Sequence, residues 1–486
     1  MNKQNKYVLE REDEDFSLSQ AGDMAKLASM DFTMPDHVDL VSSSRGAAAD
    51  DISDSARAAQ AAKVDRSADF LVGASGSGNI PFTDPALDTL AGQLTDGYWN
   101  SNGEAWRSFD IVAGGTLTVD IGDLTAAGKR LAKWALDAWT GASGIKFQFV
   151  NNNADIDFDD NKNGAYSDSF GFGNTITRSI VNVDTDWIAD YGTGRHTYSM
   201  QTYVHEIGHA LGLGHAGDYN GSARYPKDAD FTNDSWQASV MSYFSQTDNT
   251  DVDARFAYVL TPQVADVIAI RDLYGETAIK AGDNVYSYRG DFEKYYSTRT
   301  IVDTGGTDTL DLSWSNRKQT INLNAETFSS VDGVKGNLGI SRDTVIEVAI
   351  GGRSADKIIG NEAANALFGN GGNDRMTGGG GEDFFVFDTA ASKKNVDTIM
   401  DFTINVDTIA INNKVFTKIV TDGALSGNAF VANLSGQAGD ADDWLIYDQD
   451  DGRLIYDSNG SAQGGAVVIA KLGTFLALDY QDFLVI

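Results

Sequence analysis

The sequence predicts two unlike domains in one chain, an α+β domain followed by an all-β parallel β-roll. Amphipathic helix signals with start and stop residues recur as far as about residue 278 and then fade, and from residue 351 glycine returns at a nine-residue period. With 486 residues and 42% apolar content, the chain can fill two or three cores, which excludes global disorder. We divide it into an acidic leader or propeptide over 1–70, the α+β domain over 71–278, and the roll with a C-terminal segment over 279–486.

The leader includes RGAAADDISDSARAAQAAKVDRSAD, which has almost nothing large and apolar to bury, so it is expected to be mobile or removed. The texture changes at Ile80, after which Phe82, Tyr98, Trp99, Trp106 and Phe109 announce a globular domain, and LTVDI at 117–121 reads as a strand. LTAAGKRLAKWALDAWTG then sets Leu131, Trp134, Ala135, Ala138 and Trp139 on one helical face. Strands follow at 145–150 and 154–158. A second helix is expected over 198–212 with Gly212 at its exit, and a third over 261–275 with Pro262 in its first turn and Gly275 at its end.

Written in nines, residues 351–386 give GGRSADKII, GNEAANALF, GNGGNDRMT and GGGGEDFFV. Glycine opens every row, Gly or Asn stands second, Asp or Asn sixth, and an apolar residue eighth. This is the repeat of a parallel β-roll of RTX type: glycines permit left-handed turns, the recurrent Asp offers hard oxygen to Ca²⁺, and the eighth residue points inward. The first two rows depart from it, with Ser354 and Ala363 in place of glycine and Asn365 in place of Asp, so they are expected to bind calcium weakly or not at all.

Composition narrows the function. A formal charge of −33 argues against nucleic acid as a partner, and the absence of cysteine excludes disulfides, thiolate ligands and a cysteine nucleophile. No apolar run approaches the ~18 residues of a membrane span, and the N-terminus has no signal-peptide h-region.

The strongest signal is HEIGHALGLGH at 205–215. His205 and His209, four apart on a helix, share one face as two ligands of one metal must, and Gly212 lets the chain break out so that His215 supplies a third. Three neutral imidazoles leave a tetrahedral Zn²⁺ one open position for water, which is the catalytic arrangement. Glu206, beside the first ligand, can take the proton of that water. Of five histidines three lie in this motif; His37 and His196 have no partner at metal spacing.

These residues resemble the metzincins, and among them the serralysins, secreted zinc endopeptidases with a C-terminal RTX roll. The resemblance runs from about residue 80 to the C-terminus and implies an α+β metzincin-type zinc protease domain ahead of the roll. SVMSYF at 239–244 resembles the Met-turn, which would put Met241 beneath the zinc and make Tyr243 a zinc ligand that swings to steady the oxyanion. GDYN at 217–220 is also similar to serralysins, although Ala216 stands where they usually carry proline. KAGDNVYSY, DTGGTDTLDLS and VIEVAIGG resemble segments holding two Ca²⁺ ions at the domain junction, implying Asp303, Asp308 and Glu347 with backbone oxygens of Lys280, Gly282 and Gly305. In the roll the resemblance implies Gly369, Gly371, Asp374, Gly378, Gly380 and Asp383, and then Asp397 and Asp401 in VDTIMDF.

The terminal QDFLVI resembles the uncleaved signal read by a type I exporter. The expectation is a secreted, monomeric, calcium-stabilised zinc endopeptidase made as a zymogen. It would act on extracellular proteins and peptides, with the exporter and a small protein inhibitor as partners, and substrate would lie along an edge strand at 165–173. Two rivals remain: an RTX adhesin-like binding protein with a secondary zinc site, which would not need Glu206, and another metzincin subfamily. Astacins, for instance, follow the third histidine with Glu, where this chain has Ala216.

Overall fold

The computed structural model describes residues 85–289 and 296–486. The leader expected over 1–70, together with Ile80 and Phe82, lies outside the described residues.

The first part begins with helix α1 (Pro85–Gly92), extended by a π-turn at Gln93–Gly97 and a short helical turn at Tyr98–Ser101. Six strands follow: β1 (Ser108–Phe109), β2 (Thr116–Asp120), β3 (Lys146–Phe149), β4 (Ile156–Asp159), β5 (Ala165–Phe172) and β6 (Thr175–Val183). They form one sheet in the order β1-β6-β4-β2-β3, parallel throughout, with β5 added antiparallel to β6 and to nothing else. β5 is therefore an edge strand at the position expected from sequence. Its last residues are open to solvent, with Phe170 40% and Phe172 89% exposed.

Helix α2 (Ala126–Ser143) starts where Thr125 caps Gly128 N–H and ends at Gly144 in the left-handed region. It buries Leu131, Ala135 and Trp139, whereas Trp134 is only half-buried. After α3 (Thr185–Tyr191) comes α4 (Tyr198–Ala210), the motif helix, which packs between α2 and β5. The third expected helix is α5 (Val264–Tyr274). Pro262 lies before this helix and not in its first turn, because Gln263 is the N-cap and Asp266 Oδ2 reaches back to its N–H at 2.7 Å. No described helix is long and apolar enough to cross a membrane.

Beyond residue 285 the regular elements among the described residues are short strands, apart from single helical turns at Gly427–Ala429 and Tyr480–Asp482. Lys357–Ile359, Ala366–Phe368, Arg375–Thr377 and Phe384–Phe387 alternate between two sheets, so that Ile358 pairs with Met376 and Leu367 with Phe385, all in parallel. Each nonapeptide is thus half a turn. The eighth residues Ile358, Leu367, Met376 and Phe385 are all fully buried in the core between the sheets. The C-terminal Phe483–Val485 is itself a strand, paired with Thr408–Ile411 on one side and Gly423–Ala424 on the other. The two parts are joined by sheet as well as by chain: Tyr258–Val259 pairs in parallel with Ser297–Ile301, and Arg271 Nη1 on α5 meets Asp343 Oδ2 at 2.6 Å.

Candidate metal centre

Three imidazoles meet where α4 ends. His209 Nε2 lies 3.1 Å from His205 Nε2 and 3.0 Å from His215 Nε2. The opposite nitrogens are each engaged by a backbone carbonyl: His205 Nδ1 with Val240 O at 2.8 Å, His209 Nδ1 with Leu213 O at 2.8 Å, and His215 Nδ1 with Tyr219 O at 3.0 Å. A carbonyl can only accept, so each proton sits on Nδ1 and three bare Nε2 lone pairs face one another. Such an arrangement is repulsive unless a cation lies between them. Tetrahedral zinc with bonds of about 2.0–2.1 Å sets its nitrogens ~3.4 Å apart, close to this spacing, so the residues fit zinc. Burial pushes His205 down to about 4 and holds His209 and His215 well below the usual imidazole range, with neighbouring imidazoles adding to the shift of the last two. All three are therefore neutral and ready to ligate.

Local sequence dictates how the third histidine arrives. Gly212 has φ 108°, and a Cβ there would stand 2.0 Å from Arg107 O, so only glycine makes this exit. The loop is held by Trp99 Nε1 donating to Gly212 O at 2.9 Å and Tyr274 Oη to Leu211 O at 2.7 Å. Ala216 uses an N–H that a proline would lack to reach Met241 O at 3.3 Å.

Met241 is fully buried, and a Cβ on Gly208 would come within 2.6 Å of its sulfur and 3.0 Å of Trp139 Cζ2. The turn that carries Met241 is tied by a carboxylate that sequence reasoning missed. Asp266 accepts from Ser239 Oγ at 2.6 Å and from Val240 N at 2.7 Å, while Val240 O orients His205. Asp234 acts likewise on the other side: it accepts from Tyr219 Oη at 3.0 Å, and Tyr219 O orients His215. Burial pushes Asp266 up to about 6 and Asp234 up to about 7. Nothing in the sequence marks these two residues, which act across 26 and 15 positions.

Glu206 is 1% exposed, and its Oε2 has no hydrogen-bond partner among the described residues. Burial holds its carboxyl well above the usual range, and Asp168 on β5 adds to the shift. Tyr243 stacks edge-on against His215 with ring centroids 4.6 Å apart, and its Oη accepts from Gly221 N at 3.4 Å.

The acidic residues named from sequence lie in two groups. At the junction Asp308 Oδ1 accepts from Asn284 N at 2.8 Å, Glu347 Oε2 from Asp308 N at 2.7 Å, and Asp303 Oδ1 from Gly305 N at 3.0 Å, with the carbonyls of Lys280 and Gly282 drawn in by the Asn284 amide. Asp308 and Glu347 are both pushed up to about 7, by burial first and then by Asp303 among the neighbouring acids. In the roll Asp374 accepts from Asp356 N at 2.7 Å and Asp397 from Asp374 N at 2.9 Å. Asp383 is followed by Asp407 in the same way at 3.2 Å, and Asp401 accepts from Gly378 N at 2.9 Å. Asp356 and Asp407 were missed in sequence: Asp407 lies outside the four nonapeptides, and Asp356 sits in a row that lacks the fourth glycine. Asp308 Oδ2 and Asp374 Oδ2 are buried with no hydrogen-bond partner among the described residues.

The family model for the C-terminal domain of serralysins, peptidase M10, matches residues 276–484, and the one described as Matrixin matches residues 127–227. Over both regions the chain is similar to the serralysins. Serralysin C of Dickeya chrysanthemi is 40% identical over 178 residues, covering 34% of this chain and 37% of the relative. A serralysin of Photorhabdus laumondii is 34% identical over 262 residues, 48% of this chain and 53% of the relative. Metallopeptidase AprA of Pseudomonas marginalis is 38% identical over 272 residues, 51% of this chain and 55% of the relative. The chain thus spans from about a third to about half the length of the curated serralysin-family relatives it matches.

Proposed function

We propose that the chain is a secreted zinc-dependent endopeptidase, stabilised by calcium, that hydrolyses peptide bonds of extracellular proteins. One observation carries the reading: three converging Nε2 lone pairs lie beside a buried glutamate with a free carboxylate oxygen, next to an open sheet edge. Zinc held by His205, His209 and His215 supplies a Lewis acid for the scissile carbonyl and the attacking water. Glu206 takes the proton of that water and passes it to the leaving amine. Tyr243, packed on His215, serves as a further zinc ligand at rest and donates its hydroxyl to the oxyanion during reaction. Substrate adds to the free side of β5 as a further strand.

Calcium belongs at two places. At the junction its ligands are Asp303, Asp308 and Glu347 with the oxygens of Lys280, Gly282 and Gly305. In the roll they are Asp374, Asp383 and Asp397 with the oxygens of Gly369, Gly371, Gly378 and Gly380. Turns of the roll that need calcium stay unfolded at submicromolar cytosolic levels, so the terminal DFLVI, a strand in the folded chain, is open to a type I exporter beforehand. The leader as inhibitory propeptide, a small protein inhibitor and a monomeric state belong to the same reading.

Stripping with 1,10-phenanthroline and reloading tests the proposal. One zinc per chain, loss of casein hydrolysis on stripping and its return with zinc are expected. Full hydrolysis by the stripped chain would overturn it.

A further inference from the structure

The first glycine of each repeat makes room for the sixth residue. A Cβ on Gly369 would stand 2.7 Å from Asp374 Oδ2, one on Gly378 2.1 Å from Asp383 Oδ2, and one on Gly360 2.3 Å from Asn365 Oδ1. A Cβ on Gly351 would stand in the same way 3.2 Å from Asp356 Oδ2, so the cradle recurs, filled by carboxylate in three half-turns and by an amide in one.

The amide reverses the polarity of the ladder. Asp374 and Asp383 each accept an N–H from the preceding rung, from Asp356 at 2.7 Å and from Asn365 at 2.8 Å. Asn365 instead donates to its preceding rung: Nδ2 reaches Ile346 O at 3.1 Å and Glu347 O at 3.3 Å, and Oδ1 accepts from Asn361 N at 2.7 Å. Asn361 adds a second amide, with Nδ2 at 2.9 Å from Ile346 O and 3.3 Å from Leu323 O. Asn365 is fully buried and Asn361 nearly so. The backbone differs as well. Gly372 and Gly381, fourth in their rows, have φ of 130° and 92°, whereas Ala363, fourth in this row, is not among the positive-φ residues.

We infer that the gap between the Ile346–Glu347 carbonyls and Asn365 is a metal-free rung of the roll, closed by amide N–H groups where neighbouring half-turns take calcium. An amide nitrogen cannot ligate Ca²⁺, and Asn365 turns its Nδ2 to the Ile346 and Glu347 carbonyls while its one oxygen faces away, towards Asn361 N. The carbonyls of Leu323, Ile346 and Glu347 are thereby satisfied by protein donors, whereas Asp374 Oδ2, in the next half-turn, has no such partner among the described residues. The inference rests on the calcium reading above. Its consequence is a strand, Ala366–Phe368 on Val348–Ile350, that stays folded without calcium and offers a platform on which the calcium-dependent turns assemble.

Hydrogen exchange on the full chain, with calcium and with EGTA, tests this alongside calcium counting by native mass spectrometry. In EGTA, Arg375–Thr377 and Phe384–Phe387 should lose at least ~10-fold in protection while Ala366–Phe368 changes less than about twofold. N365D should make Ala366–Phe368 calcium-dependent as well, and N361G/N365D, which removes both amides and supplies the carboxylate, should bind one more calcium ion than the wild type. Loss of protection at Ala366–Phe368 equal to that at Phe384–Phe387 in the wild type would overturn the inference even if the variants fail to fold. So would equal calcium counts in the wild type and a folded double variant. A wild type that binds no calcium would instead bring down the calcium reading itself, and this inference with it.

Discussion

Gly208, in the middle of the histidine motif, lies so close to Met241 that a Cβ on it would stand 2.6 Å from the methionine sulfur. The residue between the first two metal-ligand candidates is therefore fixed by what packs beneath them. Gly208→Ala forces Met241 or Trp139 to shift in a full core, at a cost of about 1–3 kcal/mol. Thermal unfolding of the zinc-loaded variant should show a lower Tm. An unchanged Tm would mean that the contact is slack.

Asp266 sets His205 at one remove, through Val240. Asp266→Asn keeps the shape and exchanges one acceptor for a donor facing N–H groups. Zinc affinity should fall by about 10- to 100-fold, the usual effect of losing a ligand's hydrogen-bonded support. Competition with a chromogenic chelator measures it, and wild-type affinity would contradict the role.

Asp234 gives a pH signature. Burial pushes its folded pKa up to about 7 from an ordinary value of 3.8, so between these values the folded chain holds a proton that the unfolded chain has released. Its contribution to stability is full below about pH 4 and is lost as pH rises through about 7. Asp234→Asn still accepts from Tyr219 Oη and cannot titrate. Urea unfolding across this range should give a flatter stability profile for the variant, and identical slopes would assign the titration elsewhere.

Tyr243→Phe keeps the ring on His215 and removes the hydroxyl. If that hydroxyl serves the oxyanion, kcat falls by about 10²-fold with KM little changed. A rise in KM at constant kcat would make Tyr243 a substrate-binding residue instead.

The legible parts of this chain were those whose chemistry is written in short-range spacing. His205, Glu206, His209, Gly212 and His215 fall in one eleven-residue run, and the roll announces itself because each half-turn repeats in nine. The edge strand β5 was placed from the resemblance, although its pairing to β6 through a bulge at Phe170–Gly171 was not. Asp266, Asp234, Asp356 and Asp407 were silent because their partners are distant in sequence or stand outside the repeat. Pro262 misled: proline suits a first helical turn, but the capping of Gln263 by Asp266 starts α5 later. Asn365 was legible as a departure, but only the carbonyls facing its amide say what the departure does.

The central claim is that Glu206 is the base of a zinc peptidase. Zinc content and casein hydrolysis measured together on the wild type and Glu206→Ala test it most directly. The account predicts one zinc per chain in both, because all three imidazoles and their carbonyl partners are untouched, with hydrolysis in the variant lower by about 10² to 10⁴. A zinc-loaded variant that cleaves casein at close to the wild-type rate would contradict it.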